Sequence, residues 1–304
     1  MRLKKDQHIL LMKMSPNKLK VFISGSAGFI GKHLKKKLEN DYILITPSRK
    51  KLDLNSISQV KNYLKICKPD IILHLASATK FKINKSDEKI NQIKNTFDIT
   101  KNLVKSFNPE CKLIVFFGSI EEYGKSKLPF KENQIPKPIT YYGEYKHKSF
   151  QYVSKYLKKK NINYLWVRPS LTYGKGDNVE RFLGYVVNSI KKKRKIIIKS
   201  GNEIRDYIHI DDLCKVIFLI IQNYKKNYKC ILNISAQNYV KIKFIKHFIE
   251  KFINKKMNYE LIISNKKQIN LYSSNKKLLK FFPKLQFMSF KDGLIKTLKE
   301  NLIL

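Results

Sequence analysis

The chain runs to 304 residues, and 63 Lys and Arg against 23 Asp and Glu leave a formal net charge of +40. Hydrophobic residues make up 43% and aromatics 12%, enough apolar surface for a buried core, so the charge does not mark a disordered chain. This length suits one large domain, or a domain with a smaller lobe. The longest apolar runs, such as Val216 to Ile221, fall far short of the roughly 18–20 residues that span a bilayer.

In chain order, Met1 to Pro16 pairs basic residues with an apolar stretch, Ile9 to Met12, too short for a secretion signal and without a cleavage site. It reads as a flexible extension, with Met12 and Met14 as later candidate starts. Lys18 to Ser24 is a buried strand ending in glycines, and Gly31 to Asn40 a helix. Tyr42 to Thr46 is a second strand, Ile57 to Ile66 a helix and Asp70 to Ala76 a third strand. Lys89 to Phe107 has helical spacing, Lys112 to Phe117 is strand, Tyr142 to Lys158 helix and Tyr164 to Val167 strand. Strands that are apolar throughout, alternating with helices, indicate a parallel sheet covered on both faces, a doubly wound α/β architecture. Beyond Arg168 the alternation loosens: helical stretches at Val179–Lys192, Asp211–Tyr224, Lys243–Asn254 and Phe290–Asn301 enclose short strand-like runs at Lys195–Lys199 and Cys230–Ile234. A smaller C-terminal lobe interleaved with the last strands of the sheet fits this pattern.

The basic excess is spread along the chain, and the one dense run, Lys191 to Lys195, reads as a solvated face. RNA or an anionic lipid surface are the alternatives it raises; no nucleic-acid partner is expected. Only six of the basic residues are Arg. Arg is the side chain that grips phosphate or carboxylate with a planar fork, and Arg49, Arg168 and Arg205 fall inside motifs. Cys67, Cys111, Cys214 and Cys230 are widely spaced, with no Cys-x-x-Cys pair; reduced thiols in a cytoplasmic protein are expected, and no metal site.

Gly25-Ser-Ala-Gly28-Phe29-Ile30-Gly31 lies between the first strand and the first helix. Glycines there let the backbone approach a pyrophosphate whose charge the helix N-terminus then stabilises, which points to a dinucleotide. Thr46 to Lys50 carries no acid to bind ribose hydroxyls, whereas Ser48 and Arg49 suit a 2′-phosphate; this favours NADP over NAD. Asp53 and Leu54 follow that stretch, where they are expected to contact adenine or, for Asp53, to cap the helix that starts after Ser56. Tyr142-Gly-Glu-Tyr-Lys146 places a phenol and an ammonium on one helical face. The ammonium is expected to lower the phenol pKa for proton exchange with a hydroxyl or ketone.

Gly25–Gly31, His74-Leu75-Ala76-Ser77, Phe117 to Gly124, Tyr142 to Lys146, Arg168 to Gly174, Arg205 to Asp212, Asn233 to Ser235 and Met288 to Gly293 together resemble the nucleotide-sugar epimerase/dehydratase family of extended short-chain dehydrogenases/reductases. The resemblance spans nearly the whole chain from Lys18. It implies a Rossmann domain at 18–170 with 205–235 interleaved, a substrate-binding lobe at 171–204 and 236–304, and a homodimer built on Lys89–Phe107 and Tyr142–Lys158. Ser119 then orients the reacting oxygen, Tyr142 is the acid/base, Lys146 tunes it and holds the nicotinamide ribose, and Arg205 binds a nucleotide-sugar diphosphate. Glu121 matches the acid of 4,6-dehydratases, although Ile120 stands where an acid is frequent. Leu75, Ala76 and Ser77 line the cofactor, Arg168 and Ser119 the substrate, and His209 is structural. Leu171 replaces a frequent Asn. The expected reaction is hydride transfer at C4 of a nucleotide-diphosphate sugar: a 4-ketoreductase slightly ahead of a 4-epimerase, with a 4,6-dehydratase behind both.

Overall fold

A computed structural model describes residues 18–77, 86–199, 201–262 and 269–302; the N-terminal extension expected at 1–17 lies outside them. Its central sheet holds β1 (Lys20–Ser24), β2 (Ile43–Ile45), β3 (Ile71–His74), β4 (Leu113–Phe117), β5 (Tyr164–Pro169) and β9 (Cys230–Ile234). All six are parallel, in the order β2-β1-β3-β4-β5-β9.

The strands are apolar along most of their length because both faces are covered. In β1, Val21 and Ile23 join one core layer and Phe22 the other; in β4, Leu113, Val115 and Phe117 face the first, Ile114 and Phe116 the second. The first layer is closed by α1 (Phe29–Leu38) and α6 (Ile210–Gln222). The second is closed by α2 (Ile57–Cys67), α3 (Ser86–Ser106) and α4 (Tyr141–Lys159). Because α1 and α2 lie on opposite faces, the chain leaves β1 in two directions, and the C-terminal ends of β1 and β3 open into the crevice where such sheets bind ligands.

The lobe uses β6 (Leu171–Tyr173), α5 (Phe182–Lys191), β7 (Ile196–Lys199), β8 (Ile204–His209), β10 (Asn238–Lys241), α7 (Ile242–Ile253), β11 (Tyr259–Ile262) and α9 (Phe290–Leu302). Strand β8 pairs with β10 antiparallel and β6 parallel, while β11 pairs with β7. A third core, including Tyr173, Leu183, Ile198, Tyr207, Ile245, Phe290 and Leu298, holds these together.

Two boundaries differ from expectation. Residues 205–209, expected in the large domain, run in the lobe's sheet, because β8 finds its partners in β6 and β10. Residues 276–285, expected in the lobe, return to the large core as α8 (Lys276–Phe281), with Leu278, Phe282 and Leu285 buried against it.

Candidate active site

Every strand that ends in the crevice delivers part of the site. After β1, Gly25 takes φ +73, and a β-carbon there would sit 2.7 Å from the Ala76 nitrogen, so the loops after β1 and β3 touch backbone to backbone. Gly28 precedes α1, whose first turn has no side-chain cap and no acid. The first amides of a helix lack internal partners and stabilise an anion, and with Phe29, Ile30 and the buried Gly31 they form a cradle that suits a pyrophosphate. Half-buried Leu75, Ala76 and Ser77 make its opposite wall. At the adenosine end Arg49 is exposed. Asp53 serves its own turn: its Oδ1 accepts from the backbone and side-chain nitrogens of Asn55 at 2.9 and 3.0 Å, and its amide donates to Gln59. Ser56 caps α2, and Asn102 on α3 ties down the carbonyls of Leu54 and Asn55.

Below the cradle, His74 bridges Ser24 Oγ (2.7 Å) and Thr100 Oγ1 (3.0 Å). Burial, helped by nearby Lys146, lowers its pKa to about 3, so it is a neutral strut. After β4, Ser119 starts a single 3-10 turn, Ile120–Glu122. Its hydroxyl accepts from the Glu121 amide at 3.2 Å. The Glu121 carboxylate accepts from the Thr140 hydroxyl at 2.9 Å, and Thr140 caps α4 by accepting from the Gly143 amide at 3.1 Å. A β-carbon on Gly143 would lie 2.5 Å from the Glu121 carbonyl oxygen; the absent side chain is what lets α4 begin against the Ser119 turn.

This contact brings Tyr142 and Lys146 beside Ser119. Lys146 is 5% exposed and donates to the Phe117 carbonyl at 2.6 Å. Burial lowers its pKa to about 8, while the charge of Glu122 raises it. The ammonium sits 5.8 Å from the Tyr142 ring centre. Tyr142 itself corrects the sequence reading. Its phenol is pushed up, first by burial and then by Glu121, with Arg181 and a hydrogen bond to Ser77 acting the other way. Lys146, which donates to the Phe117 carbonyl, is not among the groups that shift it.

Arg168, expected on the substrate, is also corrected. It is fully buried, and its Nε and Nη2 donate to Glu122 at 2.9 and 2.7 Å, with the guanidinium stacked 4.4 Å from the Tyr123 ring centre. Arg205 lies across the cleft on β8, part-buried, donating to the Ile269 carbonyl, with Glu203 at 4.0 Å; burial lowers its pKa. Arg181, Glu122, Trp166 and Thr140 escaped the sequence reading. Arg181 pairs with Asp177 at 3.0 Å just before α5. The Ser-x-x-Glu spacing of Ser119 and Glu122 was the one available signal. His209 caps α6 by accepting from the Asp211 amide at 3.3 Å and is 1% exposed, a structural position. All four cysteines are free, and no metal-ligand cluster exists among the described residues.

A doubly wound sheet with a glycine cradle at its switch point, and Ser, Tyr and Lys beside it, defines a dehydrogenase/reductase of the extended short-chain class. Residues 21–235 match the NAD dependent epimerase/dehydratase family, and the chain belongs to it. It is 31% identical over 220 residues to GDP-6-deoxy-D-talose 4-dehydrogenase of Aggregatibacter actinomycetemcomitans, covering 69% of this chain and 72% of that one. The fold superposes on RMD from Pseudomonas aeruginosa complexed with NADPH (TM-score 0.80, 16% identity, 94% and 99% of the chains). It also superposes on dTDP-glucose 4,6-dehydratase from Bacillus anthracis in complex with NAD (0.77, 16%, 93% and 96%). The cofactor is NAD or NADP; the uncapped, acid-free start of α1 after the glycine turn suits its pyrophosphate. No helix among the described residues is long and apolar enough to cross a membrane.

Proposed function

We propose that the protein is an NADP-linked reductase that delivers hydride to C4 of a 4-keto nucleotide-diphosphate sugar. The observation that carries this reading is the gathering of Ser119, Tyr142 and Lys146 at the ends of β4 and α4, against the wall of the cradle. The bound nicotinamide supplies the hydride. The chain's own residues handle the oxygen: Ser119 donates a hydrogen bond to the ketone, Tyr142 gives it a proton, and the Lys146 ammonium holds the nicotinamide ribose and balances the phenolate left behind. Burial keeps the phenol protonated, the state from which reduction starts. Arg205 and Arg181 are assigned to the substrate diphosphate. Glu121, bonded to Thr140, is assigned to placing α4 rather than to eliminating water.

The acid-free end of β2, with Arg49 exposed, supports NADP. The relative's name, a 4-dehydrogenase acting on a GDP-6-deoxy sugar, supports chemistry at C4. The second reading is an NAD-dependent 4-epimerase, which the same residues could serve. Native mass spectrometry of the purified protein separates the two. An empty site that binds NADPH far more tightly than NADH supports the reductase; retained NAD(H) overturns it for the epimerase.

A further inference from the structure

Glu122 is a carboxylate with no exposure, the last residue of the turn that Ser119 starts. Four donors converge on it. Oε1 accepts from the Ser119 amide at 2.8 Å and the Trp166 indole at 2.9 Å; Oε2 accepts from Arg168 Nε at 2.9 Å and Nη2 at 2.7 Å. Arg168 and Trp166 are as deeply buried. A β-carbon on Gly118 would fall 2.2 Å from both Glu122 Oε1 and the indole nitrogen, so the carboxylate–indole bond lies directly over the backbone that leads into Ser119.

A buried ion pair is a poor source of stability, since well-packed apolar residues of the same volume serve as well or better. What this one supplies is placement. The Ser119 hydroxyl accepts from the Glu121 amide and donates to nothing among the described residues, so its proton is left for a ligand, and its direction depends on a backbone held by Glu122. We propose that Glu122, clamped by Arg168 and Trp166, is the positioning residue that aims the Ser119 hydroxyl at the reacting oxygen, a role that rests on the reductase reading. The same carboxylate helps keep Lys146 charged, so its loss has a signature in pH as well as in rate.

Trp166 is the chain's only tryptophan, so its indole N–H reports the clamp without any substrate. Glu122→Gln keeps an acceptor for Ser119 and Trp166 but turns an NH2 towards Arg168, whereas Glu122→Gln with Arg168→Gln restores a neutral, complementary pair. In Glu122→Gln the indole resonance is expected to move and kcat to fall about 100-fold, with KM and NADPH affinity within about threefold of wild type. The double variant is expected to recover the indole resonance and part of kcat, while activity still fails at lower pH than in wild type. An unmoved resonance with unchanged kcat in Glu122→Gln overturns the proposal. So does a double variant whose rate and pH profile are both wild type, which would make the pair mere packing. If the wild type binds no dinucleotide and reduces no 4-keto sugar nucleotide, the functional reading fails instead, and the indole resonance still decides whether the clamp exists.

Discussion

Lys146 keeps its charge where burial opposes it. Its pKa falls from 10.5 to about 8, so the ammonium is intact at neutral pH and is lost as pH rises through about 8. Activity that needs the ammonium is therefore expected to decline on the alkaline side near that value, measured as kcat/KM against pH. A plateau through pH 10 would show that the charge is not used. Tyr142→Phe keeps the ring beside Lys146 and removes only the phenolic oxygen. Turnover is expected to fall by about 10³-fold or more while NADPH binding, read by fluorescence titration, stays unchanged. Full activity in this variant would remove Tyr142 from the reaction.

At the level of elements, the start of α4 sets the site, because Thr140, Gly143 and Glu121 tie the helix to the Ser119 turn. Gly143→Ala puts a methyl against the Glu121 carbonyl, and an overpacked contact of this kind costs about 1–3 kcal/mol. Chemical denaturation is expected to show that loss, together with a kcat reduced more than KM is raised. A fully stable, fully active Gly143→Ala would mean that the helix and the turn move independently. The inner strands were legible because both faces of β1, β3, β4 and β5 are apolar and the runs are short and alternate with helical segments. The strands β6, β10 and β11 were not, because polar residues break their apolar runs: Thr172 in β6, Asn238 and Lys241 in β10, and Glu260 in β11. Ser119, Tyr142 and Lys146 were legible from motifs with fixed spacing. Arg168 was misread because nothing local shows that Glu122, distant in sequence, neutralises it inside the core. Asp53 was read as an adenine contact or a helix cap; its carboxylate closes a turn with Asn55, two residues away, and Ser56 caps the helix.

Over the whole molecule, the net charge of +40 works against compactness, since like charges repel at close range and are screened over about 10 Å at 0.1 M salt. The Tm is expected to rise by several degrees between about 20 and 300 mM NaCl, read by differential scanning fluorimetry. A flat response would show that local pairs such as Lys112 with Asp70 and Lys195 with Glu260 already offset the field. We also expect a homodimer through α3 and α4, which pack together on one side of the sheet; a monomer by light scattering at micromolar concentration would refute it.

The placement of β9 beside β5 reaches beyond the finished molecule to its manufacture. As the chain leaves the ribosome, β5 emerges with one edge satisfied by β4 and the other bare, and its cover arrives only after β6, α5, β7, β8 and α6 have been made. At roughly 5–20 residues per second that is a wait of several seconds, during which an apolar strand edge is open to any neighbouring chain. A message truncated after residue 170 is expected to yield insoluble product, whereas one carried through Leu285, which seals the same core, should release a chain whose large sheet can close.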